Sequence, residues 1–434
     1  MEGPAAVSTT IGAAATGPSA TGPSTTGPST TGPSSTGTAP PASTGGTGSG
    51  PAAGLPDLLY GEAETELRAA VRALLQDRGG WREVLARTET PETYDTGLWR
   101  ALAADLGCAG LLIPERNGGA GASYREAAVV AEEAGRAVAP VPYLGSAVVA
   151  TTALLAAGDD QLLAALADGT TTAALAVPFA AAPGTRPEPT ARLGAPAAAL
   201  EAGDEGGYRL TGTVTGLADA LTADVLLVPA DGVPYGLYAV RTAEAGVSLV
   251  PVVSLDMTRQ LADVTLDEVP GRRIASGETA NQAVAAALTA GAAVLASEQL
   301  GTAERCLEIT VAYLKERRQF ARPVGSFQAL KHRLADLWVG VTQARAAARY
   351  AAACLAGGDP DTPVAVALAK AACSDIAVRA AQECVQLHGG IGFTWEHPAH
   401  LYLKRAKSSS IGFGTADRHR ASLAGLVNLP APPP

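Results

Sequence analysis

Beyond residue 279 the chain is written as three long helical runs, at 281–317, 327–356 and 362–388, with breaks at Pro323, Gly357-Gly358 and Gly389-Gly390. Proline and paired glycines mark places where helices are expected to stop, so the runs are separate helices on short connections. Such helices bury their apolar faces by packing antiparallel, which predicts a bundle. Much of the 47% apolar content is alanine and aromatic residues make up only 4%, which suits helices in close contact.

Two other patterns precede the bundle. From Leu58 to Asp168 the apolar spacing is again helical, as in Leu67, Val71, Leu74 and Leu75 and around Ala127 to Ala137. Gly107, Gly118-Gly119 and Pro140-Val141-Pro142 divide this region into an expected four or five helices. Between about Thr171 and Ile274 the chain changes to short alternating stretches rich in Val, Leu and Thr, including 208–215, 225–228 and 237–240, which read as strands. The expected class is α+β: an N-terminal helical domain at 56–170, a middle β-domain at 171–274 and a C-terminal helical bundle at 275–430. Residues 1–55 carry Thr-Gly-Pro-Ser repeats from Thr16 to Ser34 and hardly a charge. Such a segment buries too little surface to offset its ordering entropy and reads as a disordered tail.

A net charge of −10 without a cluster of lysines and arginines argues against a nucleic-acid partner. Cys108, Cys306, Cys354, Cys373 and Cys384 show no Cys-x-x-Cys spacing, so they read as buried thiols in a reducing cytoplasm, not as disulfides or zinc ligands. The start lacks the basic and apolar segments of a signal peptide, and no membrane span is expected.

The chemistry is concentrated between Arg317 and Arg420. Arg317-Arg318-Gln319-Phe320 is followed by Gly325-Ser326-Phe327-Gln328, by Lys331-His332-Arg333, by Gln386-Leu387-His388-Gly389-Gly390-Ile391-Gly392 and by Ile411-Gly412-Phe413-Gly414-Thr415. This series resembles the C-terminal half of the acyl-CoA dehydrogenases, flavoproteins that remove a proton and a hydride from adjacent carbons of an acyl thioester. Pro114-Glu115 before Gly118-Gly119, Leu210-Thr211-Gly212 and Asp256-Met257-Thr258-Arg259 extend the resemblance over nearly everything after the tail.

The resemblance implies FAD. Arginine offers a planar, permanently charged fork for a pyrophosphate, and Arg317 is the residue it implies there, with Phe320 packing nearby and Gln328 assisting. Gln386, Gly389 and Gly390 are implied at the adenosine end of a cofactor held by a neighbouring subunit, Thr415 is implied among the cofactor contacts, and the site is therefore expected only in an oligomer. A neighbouring strand reads Leu175-Ala176-Val177-Pro178, so Ala176 keeps the amide that the family places near the flavin ring and lacks its hydroxyl. Electron-transfer flavoprotein is the implied electron acceptor.

One position departs from the family's chemistry. The catalytic glutamate of the family falls, by ungapped counting, on Phe413, which offers at most its backbone N–H to a developing enolate oxygen. A second group of relatives carries the glutamate on the helix before the arginine motif, and 26 residues before Arg317 lies Gly291. Four substitutes present themselves. Glu298 lies two turns beyond Gly291, about 10 Å at 1.5 Å per residue. Glu396 reads as structural, Asp417 as a cap or a partner of Arg418 or Arg420, and the fourth is a glutamate on a partner chain. His388 is implied beside the flavin, and His397 and His400 read as a solvated turn. The preferred reading is an FAD-dependent dehydrogenase of an acyl-CoA or other acyl thioester, as a homotetramer with a relocated base or as the base-less subunit of a heteromer with a Glu-bearing relative. A flavin monooxygenase of the same fold and a non-catalytic scaffold are the competing readings.

Overall fold

The computed structural model describes residues 57–90, 92, 94–196 and 207–430, so the expected tail at 1–55 lies outside the described residues. The N-terminal region forms α1 (Glu62–Arg78), α2 (Trp81–Thr88), α3 (Thr96–Arg100), α4 (Tyr124–Ala137), α5 (Thr151–Ala157) and α6 (Asp160–Leu166). This exceeds the expected four or five because Gly79 and Gly80 also end one helix and begin the next. Local side chains fix the starts. Asp95 accepts from the Leu98 N–H at 2.8 Å and Asp159 from that of Leu162 at 3.0 Å. Ser123 and Glu126 form a capping box at α4.

The middle region is a seven-stranded sheet of β1 (Ala173–Leu175), β2 (Ala191–Pro196), β3 (Gly207–Ala218), β4 (Val225–Asp231), β5 (Gly236–Arg241), β6 (Val247–Val252) and β7 (Leu261–Ser276). β4 pairs with both β2 and β5, so the path β4-β2-β3-β7-β5 returns to β4, while β1 adds to β4 and β6 to β7. Alternation along β3 and β7 sends Leu210, Val214, Leu217, Val264 and Leu266 into one core.

β7 runs straight into α7 (Gly277–Glu316), the central helix of the molecule. The two-stranded β8 (Arg318–Gln319) and β9 (Arg322–Pro323) follow, then α8 (Gln328–Gly357), α9 (Thr362–His388), α10 (Ala399–Ile411) and α11 (Ala416–Leu426). An 18-residue window of α7 reaches a mean hydropathy of 1.4, long and apolar enough to pass for a membrane span by composition alone. That window is 83% buried, because α4, α5, α8, α9 and α10 surround the helix.

α4 and α7 approach closely enough to require glycine. A Cβ on Gly301 would lie 1.8 Å from the Glu132 carbonyl oxygen, and one on Gly135 would lie 2.0 Å from that of Glu298. Both obstacles are backbone, so neither can swing aside. Replacing Gly301 with Ala is expected to cost about 1–3 kcal/mol or more, read as a lower urea midpoint; an unchanged midpoint would contradict this crossing.

Candidate active site and cofactor surface

Phe413 and Gly291, two positions reached by independent counts, meet in space. α10 ends at Ile411, the chain turns through Gly412, Phe413 and Gly414, and Thr415 caps α11 by accepting from the Arg418 N–H at 3.4 Å. Phe413 takes the left-handed conformation, with φ of 51°, and points its ring at α7. A Cβ on Gly291 would lie 2.6 Å from its Cζ, so the ring occupies the space that any side chain at 291 would need.

The surrounding contacts close this site. The Phe413 N–H donates to the Phe179 carbonyl oxygen at 2.7 Å, and His419 Nε2–H donates to the Phe413 carbonyl oxygen at 2.8 Å. The rings of Phe179 and Phe413 pack edge to face with centroids 5.5 Å apart. Phe179 also donates its own N–H to Gly216 at 3.0 Å, which ties the turn to the end of β3. A cavity of about 30 Å³ remains between Leu144, Gly145, Val177, Phe179, Arg259 and Phe413. Sites for small ligands run to roughly 300–1,000 Å³, so an acyl chain does not fit here as the residues stand.

These contacts correct two expectations. The Phe413 N–H is not a free oxyanion donor, because the Phe179 carbonyl already holds it. The Ala176 amide does not face outward either: it donates to Leu227 at 2.8 Å across to β4.

Glu298 is corrected as a substitute base. Its carboxylate is buried and accepts from Arg259 Nη2 at 2.5 and 2.6 Å and from Arg405 Nη1 at 3.1 Å. Burial alone would raise this carboxyl, but the guanidiniums of Arg259 and Arg405 overcome it and hold the group below the ordinary carboxylate range. Arg405 further donates to Thr258 and the Ala139 carbonyl and lies 3.2 Å from Asp256. Asp219 accepts from Tyr94 and from the Gly145 N–H, with burial raising its carboxyl against the pull of Arg259. Asp417 pairs with Arg420 at 2.9 Å, and Glu396 is exposed.

The other implied cofactor residues lie on the surface. Arg317 is exposed where α7 ends, Phe320 is 86% exposed at the tip of the β8–β9 hairpin, and Gln328 is the exposed first residue of α8. Gln386 is exposed on the last turn of α9, followed by Gly389 with φ of 62°; around Gly389 and Gly390 an added Cβ would meet nothing within 4 Å. Tyr313, one turn before Arg317, stacks on His388 at 4.5 Å, which places the arginine and glycine motifs at one end of the bundle. Thr415 is elsewhere: its turn rests on α9 near Ser374, 14 residues before His388 and so about 21 Å away along the helix. His397 and His400 are half-buried, not solvated; His397 stacks on His388 at 4.0 Å and His400 packs on Trp395.

Residues 61–170 match the acyl-CoA dehydrogenase N-terminal domain model and residues 281–426 the C-terminal domain model. The acyl-CoA dehydrogenase IpdE2 of Mycobacterium tuberculosis is 38% identical over 352 residues, spanning 80% of this chain and 92% of that protein. Among solved structures, a variant of the Tcur3481–Tcur3483 steroid ACAD is 31% identical with a TM-score of 0.72, covering 85% of this chain and 98% of that one. The ChsE4–ChsE5 complex of Mycobacterium tuberculosis is 27% identical with a TM-score of 0.75, covering 86% and 100%. The chain belongs to the acyl-CoA dehydrogenase family, whose members are FAD-dependent oxidoreductases.

The surface residues suit the pyrophosphate and adenosine of FAD: Arg317, Gln328 and Gln386 are exposed, and Gly389 and Gly390 are unobstructed. Phe179 and Phe413, by contrast, fill the space beside Gly291. Phe179 escaped the sequence reading although the chain has only five phenylalanines. Arg259 was seen only as part of a motif, and His419 and Lys370, which hold the Phe413 turn from beneath, gave no signal because isolated basic residues on helices ordinarily face solvent.

Two measurements probe this geometry. Phe413→Ala is expected to cost about 3–5 kcal/mol alone, and Gly291→Ala to cost stability in the native background and much less beside Phe413→Ala. A coupling energy of about 0.5–3 kcal/mol in the double-mutant cycle is the expected sign of shared space; additive costs would contradict it. Because the Glu298 carboxyl is depressed in the fold, its stabilisation is present above the ordinary value of 4.5 and is lost as pH falls below it. Glu298→Gln, which breaks a buried pair, is expected to cost about 3–5 kcal/mol at neutral pH and to flatten the acid limb of urea midpoint against pH.

Proposed function

We propose that this chain is the base-less subunit of a heteromeric acyl-CoA dehydrogenase. The observation that carries this reading is the closed site: Phe413 has no carboxylate, its N–H is held by Phe179 at 2.7 Å, and its ring fills the space beside Gly291. Both positions at which the family places its base are thus without one, and Glu298 is locked between two arginines. The cofactor surface, by contrast, remains open at Arg317, Phe320, Gln328, Gln386, Gly389 and Gly390.

In this reading the chain supplies that surface to an assembly whose Glu-bearing partner holds the acyl thioester and its α-proton base. FAD held there would supply the acceptor for the hydride that leaves the β-carbon. The part of this chain is to orient the pyrophosphate through Arg317, to admit the adenosine beside the glycines, and to shield the cofactor with exposed aromatic side chains. Phe320, Phe393 and Trp395 are 86%, 77% and 62% exposed around these motifs, and Trp338 on α8 is 59% exposed. An apolar face of this kind marks a protein contact. The steroid ACAD Tcur3481–Tcur3483 and the ChsE4–ChsE5 complex, each named for two components, support a two-chain assembly, and the first, named a steroid ACAD, supports a ring-bearing acyl thioester as substrate. Electron-transfer flavoprotein is the acceptor we infer.

The test is the visible spectrum of the chain expressed alone and together with a Glu-bearing relative encoded beside it, under anaerobic addition of straight-chain and ring-bearing acyl-CoA thioesters. Bleaching of bound flavin is expected only in the co-expressed assembly, and Gln386→Ala in this chain is expected to lower its flavin content. Bleaching by the single chain would sink the base-less reading and point to a self-sufficient enzyme.

A further inference from the structure

The turn that carries Phe413 rests on a buried amine. Lys370, in the middle of α9, is fully buried, and among the described residues its Nζ makes no ion pair. It donates instead to Ser374 Oγ at 2.8 Å, to the Ser409 carbonyl at 3.1 Å and to the Gly414 carbonyl at 3.3 Å. Gln299 of α7 joins the same cluster, donating to Ser374 Oγ at 3.1 Å and to the Ser409 carbonyl at 2.9 Å. A lysine that forms no ion pair is costly to bury, and it is tolerated only where its donors are used. Here two of the three acceptors are carbonyls at either side of Phe413, one at the end of α10 and one just past the phenylalanine.

We propose that Lys370 is the positioning residue that latches the 409–414 turn to α9, and thereby keeps Phe413 seated against Phe179 and the acyl cavity closed. The inference rests on the closed-site reading above and adds the group that maintains it. Three oxygens surround Nζ, and an ammonium has three protons to give them whereas a neutral amine has two. Loss of one proton therefore frees one end of the latch. Burial pushes the Lys370 amine down to about 7, so this loss falls near neutral pH. The titratable groups that face it are Cys373 and Asp375 on its own helix and His419 from α11; α7 and α10 present the neutral Gln299 and Ser409. Burial drives the Cys373 thiol up to about 12, clear of the window where Lys370 loses its proton, and pushes the His419 imidazole below its ordinary 6.5.

Hydrogen exchange of the full-length chain, read at the Phe413 amide and corrected for the intrinsic effect of pH, tests the latch. In the wild type the protection of this amide is expected to fall as pH rises through about 7. Lys370→Met is expected to reduce it about tenfold or more at pH 6, since charged hydrogen bonds are lost, and to abolish the step, while amides in the middle of α7 keep their protection. Wild-type protection in Lys370→Met, or the same step in that variant, overturns the proposal. The wild-type profile needs no variant to fold, and a flat profile with the amide protected throughout overturns it as well. An amide unprotected at every pH would instead remove the closed-site reading together with this inference.

Discussion

Glu298 lies between Arg259 and Arg405, and the three main regions of the molecule depend on that arrangement. Arg259, Asp256 and Thr258 come from the connection between β6 and β7, Glu298 from α7 and Arg405 from α10. Arg405 also reaches the Ala139 carbonyl beyond α4, and Asp219, at the end of β3, binds Tyr94 and Gly145 of the N-terminal region. Charges withdrawn from water cost several kcal/mol each unless nearly every donor and acceptor is used. The network therefore tolerates few relative positions of the helices and the sheet. It also bears on a chemical question, because a carboxylate held by two guanidiniums has its pKa lowered, where a base would need it raised.

The same network borders the closed site. Arg259 lies over the ring of Phe179 at 5.3 Å, and Phe179 in turn bonds Gly216 on one side and Phe413 on the other. The position of the phenylalanine pair follows from this network, as well as from the turn that Lys370 supports. Arg317, Gln386 and Gly389 lie exposed at the far end of α7 and α9. The outer face of the bundle there is open, whereas the inner face around Phe179 and Phe413 is packed as core.

The helices and strands were legible because their signals are local. The runs at 327–356 and 362–388 became α8 and α9 almost residue for residue, since Pro323, Gly357-Gly358 and Gly389-Gly390 interrupt helices by backbone chemistry alone. The segment at 225–228 became the core of β4 for the same reason. The site was only half legible. Counting found Phe413 and Gly291, but no count reveals that the Phe413 N–H donates to Phe179, a residue 234 positions earlier. Glu298 was misjudged because its partners, 39 and 107 residues away, are supplied by tertiary structure. Likewise the apolar window of α7 resembles a membrane span until its neighbours are known.

Positions 291 and 413 bring α7 and the α10–α11 turn onto one volume. The convergence imposes exclusion. With 2.6 Å between a residue-291 Cβ and the Phe413 Cζ, a large side chain at one position requires almost nothing at the other. Gly291 is therefore the steric counterpart of an aromatic ring at 413, and restoring a glutamate at 291 alone would drive it into that ring. A glutamate at 413 would meet a different obstacle, since its N–H would still face the Phe179 carbonyl and the cavity would still need to widen well beyond its 30 Å³. For the base-less subunit proposed above, packing closes the site as much as the missing base does, and a single substitution at either position leaves the other obstacle in place.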